Sequence, residues 1–324
     1  IMKIVHLVLS KSFAGIEQHV DELLANNLLE KPILICNNSI AEDFDKNITI
    51  YKIKNIGRRS IFGKNKLRKL LKNINPDIVH THGSKTTSII SSINNNNYKH
   101  IATVHGIKKN KSIYERADFV IGVSQRAIED IKSPSKIISN WWHPKLKKFK
   151  TNTKKYALAI GRLERVKGFD LLIESWVNIQ TNLVIVGSGK EKRNLVNLIN
   201  EKKLSNKITI IDSVNRNELL TFYNEAALLI ISSRDEGGPR VALEALYLEI
   251  PVLSTDVGHM DLILPRELLA KKNNQESLQK LLEAYVDDID LLNQDTIFEF
   301  IENEFSIEEK INKLHEVYTS LLNN

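Results

Sequence analysis

Short apolar runs of strand length alternate with segments of helical periodicity along the whole chain. In the first half these runs are KIVHLVL (3–9), KPILIC (31–36), ITIYKI (48–53), DIVHTH (77–82), HIATVH (100–105) and DFVIGVS (118–124). The second half has YALAIG (156–161), NLVIVG (182–187), KITIID (207–212), ALLIIS (227–232) and PVLST (251–255). Continuous Val, Ile and Leu runs separated by helices are typical of parallel sheets covered on both faces. The pattern therefore predicts an α/β protein with two doubly wound, Rossmann-like domains.

The two halves meet in a basic, polar stretch, NWWHPKLKKFKTNTKK (140–155), which is typical of a linker. We therefore predict an N-terminal domain at 1–150 and a C-terminal domain at 151–304. The last segment, 305–324, has its apolar side chains on one helical face, and Ser306 is a candidate N-cap with Glu309 three residues later. It is predicted to be a final helix, which could cross back to the N-terminal domain.

The composition indicates a folded protein of a reducing compartment. Of the 324 residues, 42% are hydrophobic and 26% are charged, which excludes wholesale disorder and a coiled coil. Cys36 is the only cysteine, so neither an internal disulfide nor a cysteine zinc cluster can form. No apolar run reaches the length of a membrane span, and the N-terminal IMKIVHLVLS is better explained as a buried strand than as a signal peptide. We expect a cytoplasmic protein.

Positive charge is concentrated in residues 51–75, where nine basic side chains occur without an acidic one. Such a block attracts phosphates or anionic lipid, although a solvated helix face is an alternative. We take Arg58, Arg59, Arg68 and Lys69 as candidate contacts with an anionic membrane, which would place the protein at the inner face of the cytoplasmic membrane. No recognised nucleic-acid motif accompanies the charge, so nucleic acid is not an expected partner.

Ligands of open parallel sheets bind beyond the carboxyl ends of the strands, and the segments there contain glycine and charge. After YALAI, the segment GRLERVKGFD places Arg162 five residues before Lys167, a pair that suits a diphosphate. After NLVIV, Gly187 and Gly189 would allow a ligand close to the backbone. Lys192 replaces the third glycine of the dinucleotide fingerprint, so an NAD site is not indicated.

The strongest motif is SSRDEGGPRVALEALYLEIPVLSTDVG (232–258). A buried strand ends in a glycine turn, and Pro239 suits the first turn of the helix that follows. Glu236 precedes this helix and Glu244 lies inside it, about 7 Å along the axis from Pro239. The two carboxylates can therefore contact parts of one extended ligand, such as a sugar and a ribose.

These segments, in the order GRLERVKG, VIVGSG, SRDEGGPRVALEA and PVLSTDVG, resemble the family 4 retaining glycosyltransferases of the GT-B fold, whose hallmark is Glu-x7-Glu. The resemblance is close over 156–262. It is looser in the N-terminal half, through AGIEQHV (14–20), DIVHTH (77–82), ATVHG (102–106) and ADFVIGVS (117–124). It implies two Rossmann-like domains facing across a cleft, the first for an acceptor and the second for a nucleotide-sugar donor.

The resemblance also assigns roles to residues. Arg162 and Lys167 would bind and stabilise the leaving diphosphate, Glu236 would contact the hydroxyls of the transferred sugar, and His105 would lie near the reacting centre. The donor-binding residues would be Gly15, Gly187, Val214, Gly237, Gly238, Pro239, Arg240 and Glu244, with Glu244 on the ribose. The implied reaction is retaining transfer without a metal or other cofactor, with a UDP-sugar favoured over a GDP-sugar.

We therefore expect a hexosyltransferase that uses a saccharide or lipid-linked acceptor in bacterial surface polysaccharide or lipopolysaccharide synthesis. A non-hydrolysing nucleotide-sugar epimerase of the same fold and a non-catalytic sugar-nucleotide-binding protein at a membrane surface are the alternatives. His80 and His82, at the end of one predicted strand, suit a structural or acceptor-pocket role better than a metal site.

Overall fold

A computed structural model describes residues 2–26, 31–93, 97–149 and 155–323. The chain forms two compact units, Ile1–Asn140 with Ile307–Asn324, and Trp141–Ser306. The boundary predicted between residues 150 and 151 lies within 150–154, which are outside the described residues.

The first unit is built on a parallel sheet of seven strands. The strands are β1 (Ile4–Val8), β2 (Ile33–Asn37), β3 (Thr49–Ile53), β4 (Ile78–His82), β5 (Lys99–Val104), β6 (Phe119–Gly122) and β7 (Ser135–Ile137). Their order is β3-β2-β1-β4-β5-β6-β7, and each neighbouring pair is parallel. The connecting helices are α1 (Gly15–Leu24), α2 (Ile61–Ile74), α3 (Ser84–Ser91) and α4 (Gln125–Ile128).

The second unit repeats this architecture with six strands. They are β8 (Tyr156–Ile160), β9 (Leu183–Val186), β10 (Ile208–Ile211), β11 (Ala226–Ile231), β12 (Val252–Thr255) and β13 (Leu269–Ala270), in the parallel order β10-β9-β8-β11-β12-β13. The helices are α5 (Phe169–Glu174), α6 (Lys192–Glu201), α7 (Arg216–Glu225), α8 (Arg240–Tyr247), α9 (Met260–Ile263), α10 (Gln275–Tyr285) and α11 (Asp295–Glu304).

The last helix, α12 (Ile307–Asn323), belongs to the first unit. It buries Ile311, Leu314 and Val317 on one face, as expected for an amphipathic helix. The Tyr318 hydroxyl on the same helix lies 2.7 Å from Nδ1 of His80 on β4. The chain therefore returns to the first sheet after completing the second.

The predicted fold class is confirmed, because both units are parallel sheets whose strands are covered by helices. The apolar runs are buried on both sheet faces, and Cys36 lies fully buried in β2, where burial raises its pKa to about 11. The pattern did not predict β7 and β13, which have three and two residues. None of the described helices combines the length and apolarity needed to cross a bilayer.

Candidate functional site

The two central strands of the second sheet, β8 and β11, mark the point where the strand order reverses. A crevice forms at such a point beyond the carboxyl ends of the strands, and ligands bind there. Lys167 follows β8 and Glu236 follows β11, and their side chains form an ion pair between Nζ and Oε1. Both side chains are mostly buried, with exposed fractions of 19% and 15%. The structure thus brings together two of the predicted catalytic residues.

A glycine allows the loops after β8 and β11 to lie against each other. Gly168 has a φ of +66°, and a Cβ atom there would lie 2.0 Å from the carbonyl oxygen of Ser232. The Ser232 hydroxyl in turn donates a hydrogen bond of 3.0 Å to the Lys167 carbonyl. A side chain at 168 would therefore separate Lys167 from Glu236.

Arg234, which was not predicted as a site residue, connects the segments that follow β8 and β11 through hydrogen bonds. Its guanidinium donates two hydrogen bonds to the Asp170 carboxylate, at 2.6 and 2.7 Å, and one of 2.8 Å to the Arg165 carbonyl. Burial alone would raise the pKa of Asp170, but the hydrogen bonds and charge of Arg234 outweigh it and lower that pKa. The only signal in the sequence was the position of Arg234, two residues before Glu236.

The Glu236 carboxylate is also oriented from its own loop. The Ser233 hydroxyl donates a hydrogen bond of 2.8 Å to Glu236 Oε1, the oxygen that pairs with Lys167. The Thr255 hydroxyl on β12 donates to the Ser233 carbonyl at 2.7 Å. Among the described residues both bonds go to Oε1, so Oε2 is the oxygen of Glu236 that remains for a sugar hydroxyl.

A pocket of about 280 Å³ lies at the ends of β8 and β9 and is closed by the loop before α7. Arg162, Gly187, Ser188, Val214 and Leu219 are among its lining residues. Apolar side chains and backbone groups at a strand end suit a flat base and its ribose. Three predicted residues, Arg162, Gly187 and Val214, therefore lie around one pocket.

Two residues of this pocket show how it is shaped. A Cβ atom at Gly187 would lie 1.8 Å from the Gly161 carbonyl oxygen, so this glycine is required where the ends of β8 and β9 approach. The Arg162 side chain is 71% exposed and its guanidinium donates to Glu164 at 2.8 Å. Since exposed ion pairs are weak, Arg162 can turn toward a diphosphate at little cost.

Glu244 lies apart from the Lys167 pair and is 2% exposed on α8. Its Oε1 accepts a hydrogen bond of 2.8 Å from Arg216, and its Oε2 accepts one of 3.1 Å from the Tyr223 hydroxyl. Burial, with the Glu244 charge second, raises the pKa of Tyr223 well above its usual value. A ribose could reach Glu244 only by sharing this carboxylate with Arg216 and Tyr223.

The glycine turn before α8 lies at a helix N-terminus. Pro239 is the N-cap residue, with a φ of −70°, and Arg240 begins the helix. Gly258, with a φ of +60°, packs behind the turn, since its Cβ atom would lie 3.0 Å from the Cα atom of Gly238. The glycine turn therefore lies at the N-terminal end of α8, where the helix dipole favours a hydroxyl-rich or anionic ligand.

In the first unit, His105 follows β5 and is partly buried, and Gly15 is the first residue of α1. Burial lowers the pKa of His105 to about 3, so its imidazole is neutral near pH 7. A Cβ atom at Gly15 would meet nothing within 4 Å, which leaves open space above the start of α1.

Several buried histidines in this unit lie close enough to share a metal ion. The side-chain nitrogens of His6, His80 and His82 lie within 4.8 Å of one another, as do those of His19, His82 and His105. His6, His80 and His82 already use their ring nitrogens in hydrogen bonds.

Two family models together match most of the chain. The model described as Glycosyltransferase Family 4 matches residues 14–140, and the model described as Glycosyl transferases group 1 matches residues 144–295. The chain belongs to the family 4 glycosyltransferases. Its two sheets form the halves of the GT-B fold of these glycosyltransferases.

Individual relatives of this glycosyltransferase are distant. An uncharacterized glycosyltransferase of Methanocaldococcus jannaschii is 27% identical over 296 residues, which are 83% of this chain and 84% of that protein. The O-antigen biosynthesis glycosyltransferase WclY of Escherichia coli is 31% identical over 98 residues, which are 30% of this chain and 27% of that protein. The crystal structure of Anabaena HepE in complex with UDP has a TM-score of 0.82 and 16% identity, and covers 98% of this chain and 100% of that chain.

Proposed function

We propose that this glycosyltransferase transfers a hexose-type sugar, with retention of configuration, from a nucleotide-diphosphate sugar to a saccharide or lipid-linked acceptor. The observation that carries the proposal is the Lys167–Glu236 pair at the reversal point of the second sheet, beside the pocket at the ends of β8 and β9. A UDP-sugar is the favoured donor, and Anabaena HepE, of similar fold, was crystallised with UDP. The O-antigen relative favours an acceptor in bacterial surface polysaccharide synthesis.

Charge stabilisation of the leaving group is the main catalytic task in this proposal. As the bond between the anomeric carbon and the diphosphate breaks, negative charge grows on the phosphate oxygens, and Lys167 and Arg162 stabilise it. The acceptor hydroxyl attacks the face that the diphosphate leaves, and its proton passes to the departing phosphate oxygen. Glu236 holds the sugar hydroxyls, and the two cations replace a metal ion.

Donor residues on α8 and in the first unit complete the proposed site. The backbone of Gly237, Gly238 and Pro239 contacts the sugar and the phosphates, and Glu244 accepts a hydrogen bond from the ribose. His105 and Gly15 contribute from the N-terminal domain.

The configuration of the product tests the proposal. With an α-linked nucleotide hexose, we expect the first product detected by proton NMR to be the α-anomer, because front-face attack retains configuration. Spectra are recorded within minutes, before mutarotation mixes the anomers, and the donor without protein is the control. A first product of β configuration would exclude retaining transfer.

We further propose that the basic block of the first unit binds an anionic membrane. Arg58, Arg59, Arg68 and Lys69 are all exposed, on the loop before α2 and on α2 itself. The neighbouring Phe62 is 89% exposed, although phenylalanine is among the side chains most often buried in proteins. Exposed cations next to an exposed aromatic ring suit the interface between lipid headgroups and acyl chains.

Flotation with liposomes checks the membrane proposal. Neutralising Arg58, Arg59, Arg68 and Lys69 together is expected to weaken binding to anionic liposomes by roughly 10³-fold, because each cation contributes about 1 kcal/mol. Phe62→Ser is expected to weaken binding further.

The matched control neutralises four exposed lysines of the second unit, Lys202, Lys203, Lys271 and Lys272. Equal loss in the two quadruple variants would mean that net charge, not this surface, governs binding, and unchanged flotation of the first variant would refute the proposal.

A further inference from the structure

A continuous chain of hydrogen bonds crosses the interior of the first unit. It connects, in order, Thr103, His80, Tyr318, His6, His82 and His105. The Thr103 hydroxyl lies 2.6 Å from His80 Nε2, and His80 Nδ1 lies 2.7 Å from the Tyr318 hydroxyl. This series of hydrogen bonds therefore starts on β5, passes through β4 and reaches α12.

The remaining hydrogen bonds lead from α12 back to the sheet and then to the loop after β5. The Tyr318 hydroxyl lies 3.4 Å from His6 Nε2, and His6 Nδ1 lies 3.0 Å from His82 Nε2. His82 Nδ1 then lies 3.0 Å from His105 Nε2. His105 is the partly buried end of the chain.

The sheet places these side chains on one path. His6 on β1 is the register partner of His80 on β4, and His82 is two residues further along the same strand face. The rings of His80 and His82 stack with centroids 4.4 Å apart. Tyr318 on α12 bridges His80 and His6 through its hydroxyl.

The histidines of the chain are neutral. Burial lowers the pKa of His6 and of His105 to about 3, and it lowers the pKa of His80 and His82 well below the usual value. A neutral imidazole donates at one nitrogen and accepts at the other. The buried Tyr318 hydroxyl has one proton, which it must donate to one of its two histidine partners. All the hydrogen bonds of the series must therefore point in the same direction.

Thr103 decides that direction. Thr103 is 2% exposed, and among the described residues its hydroxyl has His80 as its hydrogen-bond partner. A buried hydroxyl proton without an acceptor costs about 1–3 kcal/mol, so Thr103 donates to His80 Nε2. His80 Nδ1 then donates to Tyr318, and each later member donates to the next.

We propose that Thr103 acts through His80, Tyr318, His6 and His82 to hold His105 in the tautomer with its proton on Nδ1. His82 Nδ1 donates to His105 Nε2, so the nitrogen that His105 presents to a ligand is an N–H donor. Its ligand is therefore an oxygen acceptor, such as a sugar hydroxyl or a phosphate oxygen, and a ligand that must donate to His105 is excluded. This role of His105 rests on the proposed function, and Thr103 is a positioning residue.

The same histidines are less suited to a resident metal ion. All six ring nitrogens of His6, His80 and His82 have hydrogen-bond partners, so a metal at this trio would break several of these bonds. Tight zinc binding that shifts the resonances of these three rings would therefore overturn the proposal.

Nitrogen NMR of the full chain labelled with ¹⁵N-histidine tests the tautomer without any substrate. We expect His105 to carry its proton on Nδ1 in the wild type and in Thr103→Ser, which keeps the hydroxyl. Thr103→Val removes the donor that sets the direction, and a mixture of the two His105 tautomers is expected. A wild-type His105 with its proton on Nε2 would overturn the proposal, whether or not the variant folds.

Thr81→Val is the matched control. The Thr81 hydroxyl is equally buried, on β4, but it pairs with His100 and Thr87, outside the chain. The His105 tautomer should be unchanged in this variant, and an equal change in both valine variants would mean that any lost buried hydroxyl has this effect.

Donor cleavage adds a functional readout. Thr103→Val is expected to lower kcat about tenfold, the effect of one weakened hydrogen bond, with the donor KM unchanged and with recovery in Thr103→Ser. Because the NMR result needs no substrate, absent cleavage by the wild type would count against the proposed function alone. A normal kcat in a Thr103→Val protein with mixed tautomers would overturn the role given to the His105 donor.

Discussion

Replacement of Lys167 by alanine is expected to lower kcat for donor cleavage by about 10²–10³-fold, as the loss of one preorganised stabilising group does in other enzymes. Lys167 is 19% exposed and pairs with Glu236 at the end of the two central strands. Its removal takes away a cation for the leaving diphosphate and leaves the Glu236 carboxylate without its ion-pair partner, which repels the donor. Steady-state kinetics with the preferred nucleotide sugar measure the change.

A matched lysine separates this effect from general loss of charge. Lys280 on α10 also pairs with a glutamate, Glu276, but both side chains are about three-quarters exposed, at 74% and 75%. Lys280→Ala should change kcat less than about twofold, since exposed pairs contribute little. Comparable rates for the Lys167 and Lys280 variants would contradict the role given to the Lys167–Glu236 pair.

Acidification from pH 7 to about pH 5.5 is expected to destabilise the first unit strongly. His6, His80, His82 and His100 are at most 6% exposed, and burial is the largest cause that lowers the pKa of each below 6.5. These groups bind protons only after unfolding, so the free energy of unfolding falls as the pH drops below 6.5. At one pH unit below 6.5, each of these histidines lowers the free energy of unfolding by about 1.4 kcal/mol. Together they would remove a large part of the stability of a typical domain.

The distribution of tryptophan makes this prediction easy to measure. Trp141, Trp142 and Trp176 are the three tryptophans, and all belong to the second unit. Tryptophan emission therefore reports on the second unit, while hydrogen exchange of β1 and β4 reports on the first. We expect acid to lower the protection factors of the amides in β1 and β4, taken relative to the intrinsic exchange rate at each pH, before the emission changes.

A single substitution provides the control for proton uptake. His100→Gln removes one titrating group, so the unfolding free energy should fall less steeply with pH by about one proton. Unchanged protection factors in β1 and β4 between pH 7 and pH 5, each taken relative to the intrinsic exchange rate at that pH, would contradict this prediction.

Much of the fold could be predicted because its strands are nearly continuous runs of branched apolar residues. Strands such as YALAIG and ALLIIS are buried on both faces, and their helical connections have a different period. The elements that were missed are short. The strand β13 has two residues and pairs only with β12, so it has no pattern of its own.

The candidate site could be predicted in part, because its main residues follow strands directly. Lys167 and Glu236 lie next to glycines at strand ends, a position from which the doubly wound topology brings them together. Their supporting contacts join residues far apart in the chain. The Arg234 bonds to Asp170 and the Arg216 bond to Glu244 have no local signature, so only the three-dimensional structure reveals them.

The hydrogen-bonded histidines are a clearer example of contacts that the sequence does not predict. The sequence pattern predicted that His80, His82 and His105 lie at strand ends. It placed His6 within the first strand and assigned it no role. Tyr318, which connects two of these histidines, is 238 residues from His80. No periodicity within one segment could have predicted that contact.

In the proposed reaction, the protein cleaves a nucleotide sugar through Lys167 and Glu236 without a metal ion. Chromatography of nucleotides after incubation of EDTA-treated protein with UDP- and GDP-hexoses tests it most directly. We expect release of the nucleoside diphosphate and the sugar in equal amounts, at a rate that EDTA does not change and that Lys167→Ala and Glu236→Ala nearly abolish. Release that requires an added divalent metal, or that persists in both variants, would contradict it.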